Sequence, residues 1–325
     1  NRKLKLKNRL VMPPMATAKA DSMGLVSPAL LQYYNEKSQG GYLGLVITEH
    51  AYITPQGKAS ANQLSSATDE TIDGLTKLAQ TIQQNGSKAV LQINHAGSAT
   101  TKGITGADVA GPSAVCNPSK ANSVVPLELT QADICNLVQQ FAQAANRAKM
   151  AGFDGVEIHS CHGYLLDQFL SPLTNRRTDA YGGSIANRIR IHLNVIEAVR
   201  LAVGEDFPLL LRMGATDHME GGLSMEDSVA AAQAFEKAGV DILDVSGGMC
   251  RFAIPGINMT ECFSQCSKTI KAAVSIPVIV TGGIKEVMEA EALLRDNRAD
   301  LVGVGSAILN DSSWAKKAMD TMQVK

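Results

Sequence analysis

His159 and His162 stand three residues apart, Tyr164 follows two residues later, and all three come directly after the apolar run Gly155–Ile158. At that spacing both imidazoles can face one bound atom, while the phenol can give up a proton. Two donors plus one acid suit a reaction in which negative charge builds on a carbonyl oxygen and a neighbouring carbon needs a proton. Two other readings of the pair remain open. A His-x-x-His pair can ligate a metal, although no third ligand stands at a recognisable spacing, and a loop histidine can merely satisfy backbone groups. No metal is therefore expected.

These side chains need elements to place them. Short runs rich in Val, Ile and Leu recur near Arg9–Met12, Leu43–Ile47, Ala89–Ile93, Gly155–Ile158, Leu209–Met213, Ile242–Val245, Val278–Val280 and Leu301–Val304. Helical periodicity lies between them, near Ala29–Lys37, Glu70–Gln84, Gln131–Ala151, Ala186–Val203, Met225–Ala238, Thr260–Val274 and Lys285–Arg295, with Trp314–Met322 last. Thr130 with Asp133, and Ser224 with Asp227, have the spacing of capping boxes. Eight alternating strand and helix units predict an α/β fold of the (β/α)8 TIM-barrel type, with an open doubly wound sheet as the alternative. Against the open sheet, no GxGxxG follows the first strand. The polar stretch Ala99–Pro126 reads as an elaborated loop after strand 3. No linker splits the chain, so 1–325 is expected to form one domain.

In a barrel, residues at the carboxyl ends of the strands converge on one mouth. Strand 1 delivers Pro13, Pro14, Met15 and Ala16, strand 2 Thr48, Glu49 and His50, and strand 3 Gln92, Asn94 and His95. Strand 5 adds Arg212, strand 6 Ser246, Gly247 and Gly248, strand 7 Thr281, Gly282 and Gly283, and strand 8 Gly303, Gly305 and Ser306. Glycines ending strands 7 and 8 let a ligand approach backbone N–H groups, and the helices that follow favour an anion, so together they look like a phosphate site. The alternative is that they only make tight turns. Arg212 argues for an anion, because an arginine on a barrel strand is expensive to bury without a partner.

Composition bounds the rest. A net charge of −1, with 45% apolar and 19% charged residues, gives no general attraction to nucleic acid or anionic lipid, so a small-molecule partner recognised locally is expected. No apolar run approaches a membrane span and the start lacks a signal-peptide core, which makes the cytoplasm the default location. The six cysteines, at 116, 135, 161, 250, 262 and 266, read as free thiols, and Cys262 and Cys266 as two positions on one helix face. Self-association is left open.

The chain resembles the old yellow enzyme family of FMN-dependent oxidoreductases over some 300 residues. The resemblance rests on HGYLLDQFLSPLTNRRTDAYGGSIANR, supported in order by NRLVMPPM, LQINHAG, GPSAV, PLELT, LLLRMG and ADLVGVGSAIL. It implies FMN as cofactor and NADH or NADPH as electron donor. Pro14, Met15 and Ala16 would then lie along the flavin, Gln92 at its pyrimidine edge, Arg212 near its N1 side, and Gly282, Gly283, Gly305 and Ser306 around its phosphate. His159 and His162 match the pair that binds a substrate's carbonyl oxygen, and Tyr164 the residue that protonates the α-carbon. The implied activity is reduction of the C=C bond of α,β-unsaturated carbonyls or similar activated alkenes. Two alternatives are a flavin-binding barrel with weakened or lost turnover, and a flavin-free phosphate-binding barrel lyase or isomerase. Ala16 stands where the family usually has Cys or Thr, and Ser306 where it commonly has Arg. His50 stands where a small residue is usual, either lining the pocket or filling space. Larger relatives append an iron–sulfur site and a second flavin domain. The cysteines here lack that clustering, so a lone barrel is expected.

Overall fold

The computed structural model describes residues 4–323 of the chain. Eight parallel strands form its centre: β1 (Leu10–Met12), β2 (Leu45–Ile47), β3 (Lys88–Asn94), β4 (Gly155–Ser160), β5 (Leu209–Gly214), β6 (Ile242–Ser246), β7 (Val278–Thr281) and β8 (Leu301–Gly303). Neighbours in sequence pair in parallel, and β1 pairs with β8, so the sheet closes on itself as a (β/α)8 barrel. The helices are α1 (Pro28–Ser38), α2 (Ile72–Gln83), α3 (Gln131–Met150), α4 (Arg190–Val203), α5 (Met225–Lys237), α6 (Met259–Lys271), α7 (Val287–Arg295) and α8 (Trp314–Gln323). Among the described residues no helix is long and apolar enough to cross a membrane.

Side chains alternate in and out along each strand. Val11, Leu45, Ile47, Val90, Leu210, Ile242, Ile279 and Leu301 pack inside the barrel into one apolar layer, with Leu4 against them. Two residues further along, the same face turns polar: Val90 leads to Gln92, Leu210 to Arg212, Ile242 to Asp244 and Ile279 to Thr281. The barrel is thus apolar at its base and polar at its mouth. A second, larger apolar layer, including Phe141, Val156, Ile158 and Phe235, seats the helices on the outside.

Local chemistry decided several boundaries. Thr130 and Asp133 form the full reciprocal box, worth ~1 kcal/mol to the start of α3. At Ser224 only half of it forms. The Ser224 hydroxyl accepts from the Asp227 N–H, but the Asp227 carboxylate turns to Arg188, 2.5 Å away. The predicted 186–203 helix is interrupted at Ile189, next to Arg188. The buried Arg188 guanidinium binds the carbonyls of Leu170 and Gly183, and the chain forms a separate turn, Ile185–Arg188, before α4. The stretch 99–126 carries a short helix, Lys102–Thr105, and ends in a two-residue pairing of Ala110–Gly111 with Leu127–Glu128.

Candidate functional site

A cavity of about 380 Å³ opens at the carboxyl ends of the strands. Its lining brings together the twelve residues expected to meet flavin or substrate, Pro14, Met15, Ala16, Gln92, His159, His162, Tyr164, Arg212, Gly282, Gly283, Gly305 and Ser306, but not the strand-end residues Thr48, Glu49, Asn94, His95, Ser246, Gly247 and Gly248. His50 lines it as well, as do Arg251 and Phe252, to which no sequence signal pointed. Those two lie in the irregular segment after β6, beyond the reach of strand periodicity. An arginine beside an aromatic ring with no acid nearby was the available clue.

His159, His162 and Tyr164 sit at and just beyond the end of β4. His159 is still on the strand, 2% exposed, and its Nδ1 is buried with no partner. His162 follows with φ +59, a left-handed conformation that costs a non-glycine residue of order 1 kcal/mol. Gly163 continues the bend at φ +74, and a Cβ there would lie 1.8 Å from Ser119 Oγ. Ser119 belongs to the long loop after β3. That loop grips the bend again where Asn117 Nδ2 donates to the Gly163 carbonyl at 2.8 Å. The histidine rings lie edge to face, 5.3 Å between centroids, and the Tyr164 ring is 5.0 Å from His159.

Burial sets the protonation states. It pushes His159 and His162 well below the usual imidazole range, with His162, His50 and Arg212 adding to the effect on His159, and Arg212, Arg251 and His50 adding to the effect on His162. Both are neutral donors near pH 7. Ser246 Oγ lies 2.8 Å from His162 Nε2, so a hydroxyl donating there leaves Nδ1–H for a ligand. Burial lowers His50 to about 4. Two amides, Gln63 Nε2 at 2.8 Å and Asn94 Nδ2 at 3.2 Å, face its Nδ1, which must therefore accept and leave the proton on Nε2. Tyr164 is raised by burial and keeps its proton.

The polar floor corrects one inference. Arg212 was expected to need an anionic ligand, yet its Nε lies 3.0 Å from Asp244 Oδ2, an acid on β6 in register with it. Glu157, on β4, accepts from Gln92 Nε2 at 2.7 Å and is pushed well up by burial and then by Asp244. The barrel supplies the arginine's counter-charge itself. Even so, Gln92 Oε1 is buried without a hydrogen-bond partner, an acceptor that fits the polar edge of a flavin.

The glycines divide differently from expectation. A Cβ at Gly282 would meet Phe263 at 2.3 Å, at Gly283 the Thr260 nitrogen at 2.6 Å, and at Gly303 Thr281 Oγ1 at 2.1 Å. Packing against the protein requires these three. Only at Gly305 is the space open, with Pro13 Cγ at 3.4 Å and Met15 Sδ at 3.5 Å.

A third potential metal donor, missed at the sequence level, lies between the histidines: Cys161 Sγ, His159 and His162 place ligand atoms within 4.8 Å of one another. Burial holds the Cys161 thiol well above its usual range, so it keeps its proton between two neutral imidazoles. Cys262 and Cys266 lie on α6 as expected, with Cys262 Sγ 2.9 Å from His218 Nε2.

The model of the NADH:flavin oxidoreductase / NADH oxidase family matches residues 2–324. An NADH oxidase of Thermoanaerobacter brockii is 42% identical over 98% of this chain and 50% of its own length. An NADPH dehydrogenase of Bacillus licheniformis is 39% identical over 98% of this chain and 92% of its own. Among solved structures, a 2-naphthoyl-CoA reductase in complex with 2-naphthoyl-CoA superposes with a TM-score of 0.90 at 27% identity, over 97% of this chain and 50% of that one. The chain spans about half the length of two of the curated relatives it matches.

Proposed function

The chain belongs to the NADH:flavin oxidoreductase / NADH oxidase family, the old yellow enzyme family, with FMN as cofactor and NAD(P)H as reductant, and on that premise we propose that it reduces the C=C bond of α,β-unsaturated carbonyl compounds or similar activated alkenes. The observation that carries this reading is the convergence of three neutral proton donors, His159, His162 and Tyr164, on one wall of a cavity whose floor holds Gln92 and Arg212.

When bound, FMN supplies the two-electron chemistry, taking hydride from NAD(P)H and returning it to the β-carbon of the alkene. Pro14, Met15 and Ala16 would flank it, Gln92 and Arg212 would meet its polar edge, and Gly282, Gly283, Gly305 and Ser306, which line the same cavity, would surround its phosphate. His159 and His162 donate to the substrate's carbonyl oxygen and stabilise the charge that grows there. A neutral imidazole N–H can donate to that oxygen while keeping its own proton, which leaves protonation of the α-carbon to Tyr164. Tyr164 delivers its phenolic proton to the α-carbon, which balances the hydride added at the β-carbon.

The test is to follow the two half-reactions separately in FMN-loaded protein. Tyr164→Phe should slow cyclohexenone reduction about 10²- to 10⁴-fold while flavin reduction by NAD(P)H stays nearly unchanged. Equal loss in both halves would overturn the proton-donor role, and a protein that stays colourless with added FMN would overturn the whole reading.

A further inference from the structure

Arg251 stands out in the cavity wall. The lining contains two charged residues, Arg212 and Arg251, and no acid. Arg212 is answered by Asp244 in the floor, whereas Arg251 makes no ion pair among the described residues, and its Nε is buried without a hydrogen-bond partner. The residue is half-buried, and its Nε is a donor out of water's reach that a ligand could meet.

Its position is built. The Arg251 N–H closes a turn onto the Gly248 carbonyl at 2.9 Å, and the residue adopts φ +62, a conformation a side-chain-bearing residue takes only when its surroundings impose it. A Cβ at Gly247 would lie 1.8 Å from the Arg251 carbonyl oxygen, so the turn excludes side chains there. The guanidinium lies over the Phe252 ring, 5.7 Å from its centroid. Phe252 meets His162 edge to face at 6.0 Å. The free cation therefore sits one ring away from the proposed carbonyl-binding pair. Lys120, on the loop after β3, is also without a carboxylate partner among the described residues. It is pushed down by burial and then by the charge of Arg251, which puts a second cation in the neighbourhood.

We infer that Arg251 recognises an anionic group, a carboxylate or phosphate, carried by the ligand that stacks in the cavity beside His162. Two oxygens of either anion match the two-pronged guanidinium, which also lies over the Phe252 ring. The inference rests on the proposed ene-reductase reading and gives its cavity a preference for an anionic ligand. The anion has two sources, the acceptor alkene or the phosphates of the nicotinamide donor.

The experiment uses FMN-loaded protein. In the first arm, calorimetric titration compares 4-hydroxybenzoate with neutral 4-hydroxybenzamide, two phenols that differ in charge at one end. Arg251→Gln should reduce the preference for the benzoate by about ten- to a hundredfold, and Arg251→Lys should keep part of it. In the second arm, flavin reduction by NADPH and NADH is compared with reduction by 1-benzyl-1,4-dihydronicotinamide, which has no phosphate. A loss confined to the first arm assigns the anion to the acceptor, and one confined to the second assigns it to the donor. Unchanged discrimination in both arms overturns the inference, and so does weakened FMN retention as the only effect of Arg251→Gln. Failure of either phenol to bind the unsubstituted protein instead overturns the ene-reductase reading beneath it.

Discussion

Glu49 offers a test of how the cavity wall is held. It follows β2, is 1% exposed, and receives both the hydroxyl and the N–H of Thr17, the residue just after Ala16. Burial raises its carboxyl from 4.5 to about 7, against the opposing effect of the Thr17 hydrogen bonds. A raised folded value means that the folded chain binds the proton more tightly than the unfolded one. The resulting stability is fully present below pH 4.5 and is lost as pH rises through about 7. The whole shift corresponds to ~3.4 kcal/mol, of which ~2.5 kcal/mol falls between pH 5 and pH 8. Glu49→Gln keeps an acceptor for Thr17 and cannot ionise, so it should not lose that stability. Paired urea unfolding curves at the two pH values, with equal slopes, measure this. Every other titrating group cancels in the double difference. A double difference below ~0.5 kcal/mol would mean that Glu49 ionises as an exposed acid does, and would refute the desolvation argument.

Other outcomes follow from the same physics. Ser246→Ala removes the partner of His162 Nε2 and should weaken phenolate binding about fivefold, read from flavin spectral titration; an unchanged Kd would remove Ser246 from any orienting role. Arg212→Leu strands Asp244 and Glu157 in the barrel and should cost about 3–5 kcal/mol in urea unfolding, with Asp244→Leu added to it restoring part; equal losses in the single and double variants would contradict this. Burial lowers His192 from 6.5 to about 3, so its contribution is fully present above pH 6.5 and lost as pH falls through about 3. In acid titrations followed by circular dichroism, His192→Gln should therefore unfold at a lower pH relative to its own neutral stability, and an unshifted acid limb would argue against a buried neutral imidazole.

Strand ends were legible in the sequence because apolar runs fix where each strand stops, and the stop fixes what faces the mouth. That is why Gln92, His159, Arg212 and Gly305, from four different strands or their ends, could be expected to share one cavity. What failed were inferences about partners far apart in sequence. Arg212 met Asp244, 32 residues away, rather than a ligand, and Gly283 was required by Thr260. Asp227 left its helix cap for Arg188, 39 residues earlier. Cys161 stands two residues from His159, the spacing that puts two side chains on one face of a strand, but its approach to His162 depends on the left-handed bend at His162, which no period signals. Arg251 and Phe252 sit where no period operates.

The 1.8 Å clearance between a Cβ at Gly163 and Ser119 Oγ bears on how such an enzyme could be re-engineered. The long loop after β3 looks like an insertion that could be exchanged between homologues to alter selectivity. It is instead the mould against which the His162–Gly163 bend is cast, with Asn117 as a second clamp. A graft of residues 99–126 alone would leave the donors of residues 159–164 without their mould. The transferable unit is the pair of segments together, and diversification of this mouth should proceed by paired exchange.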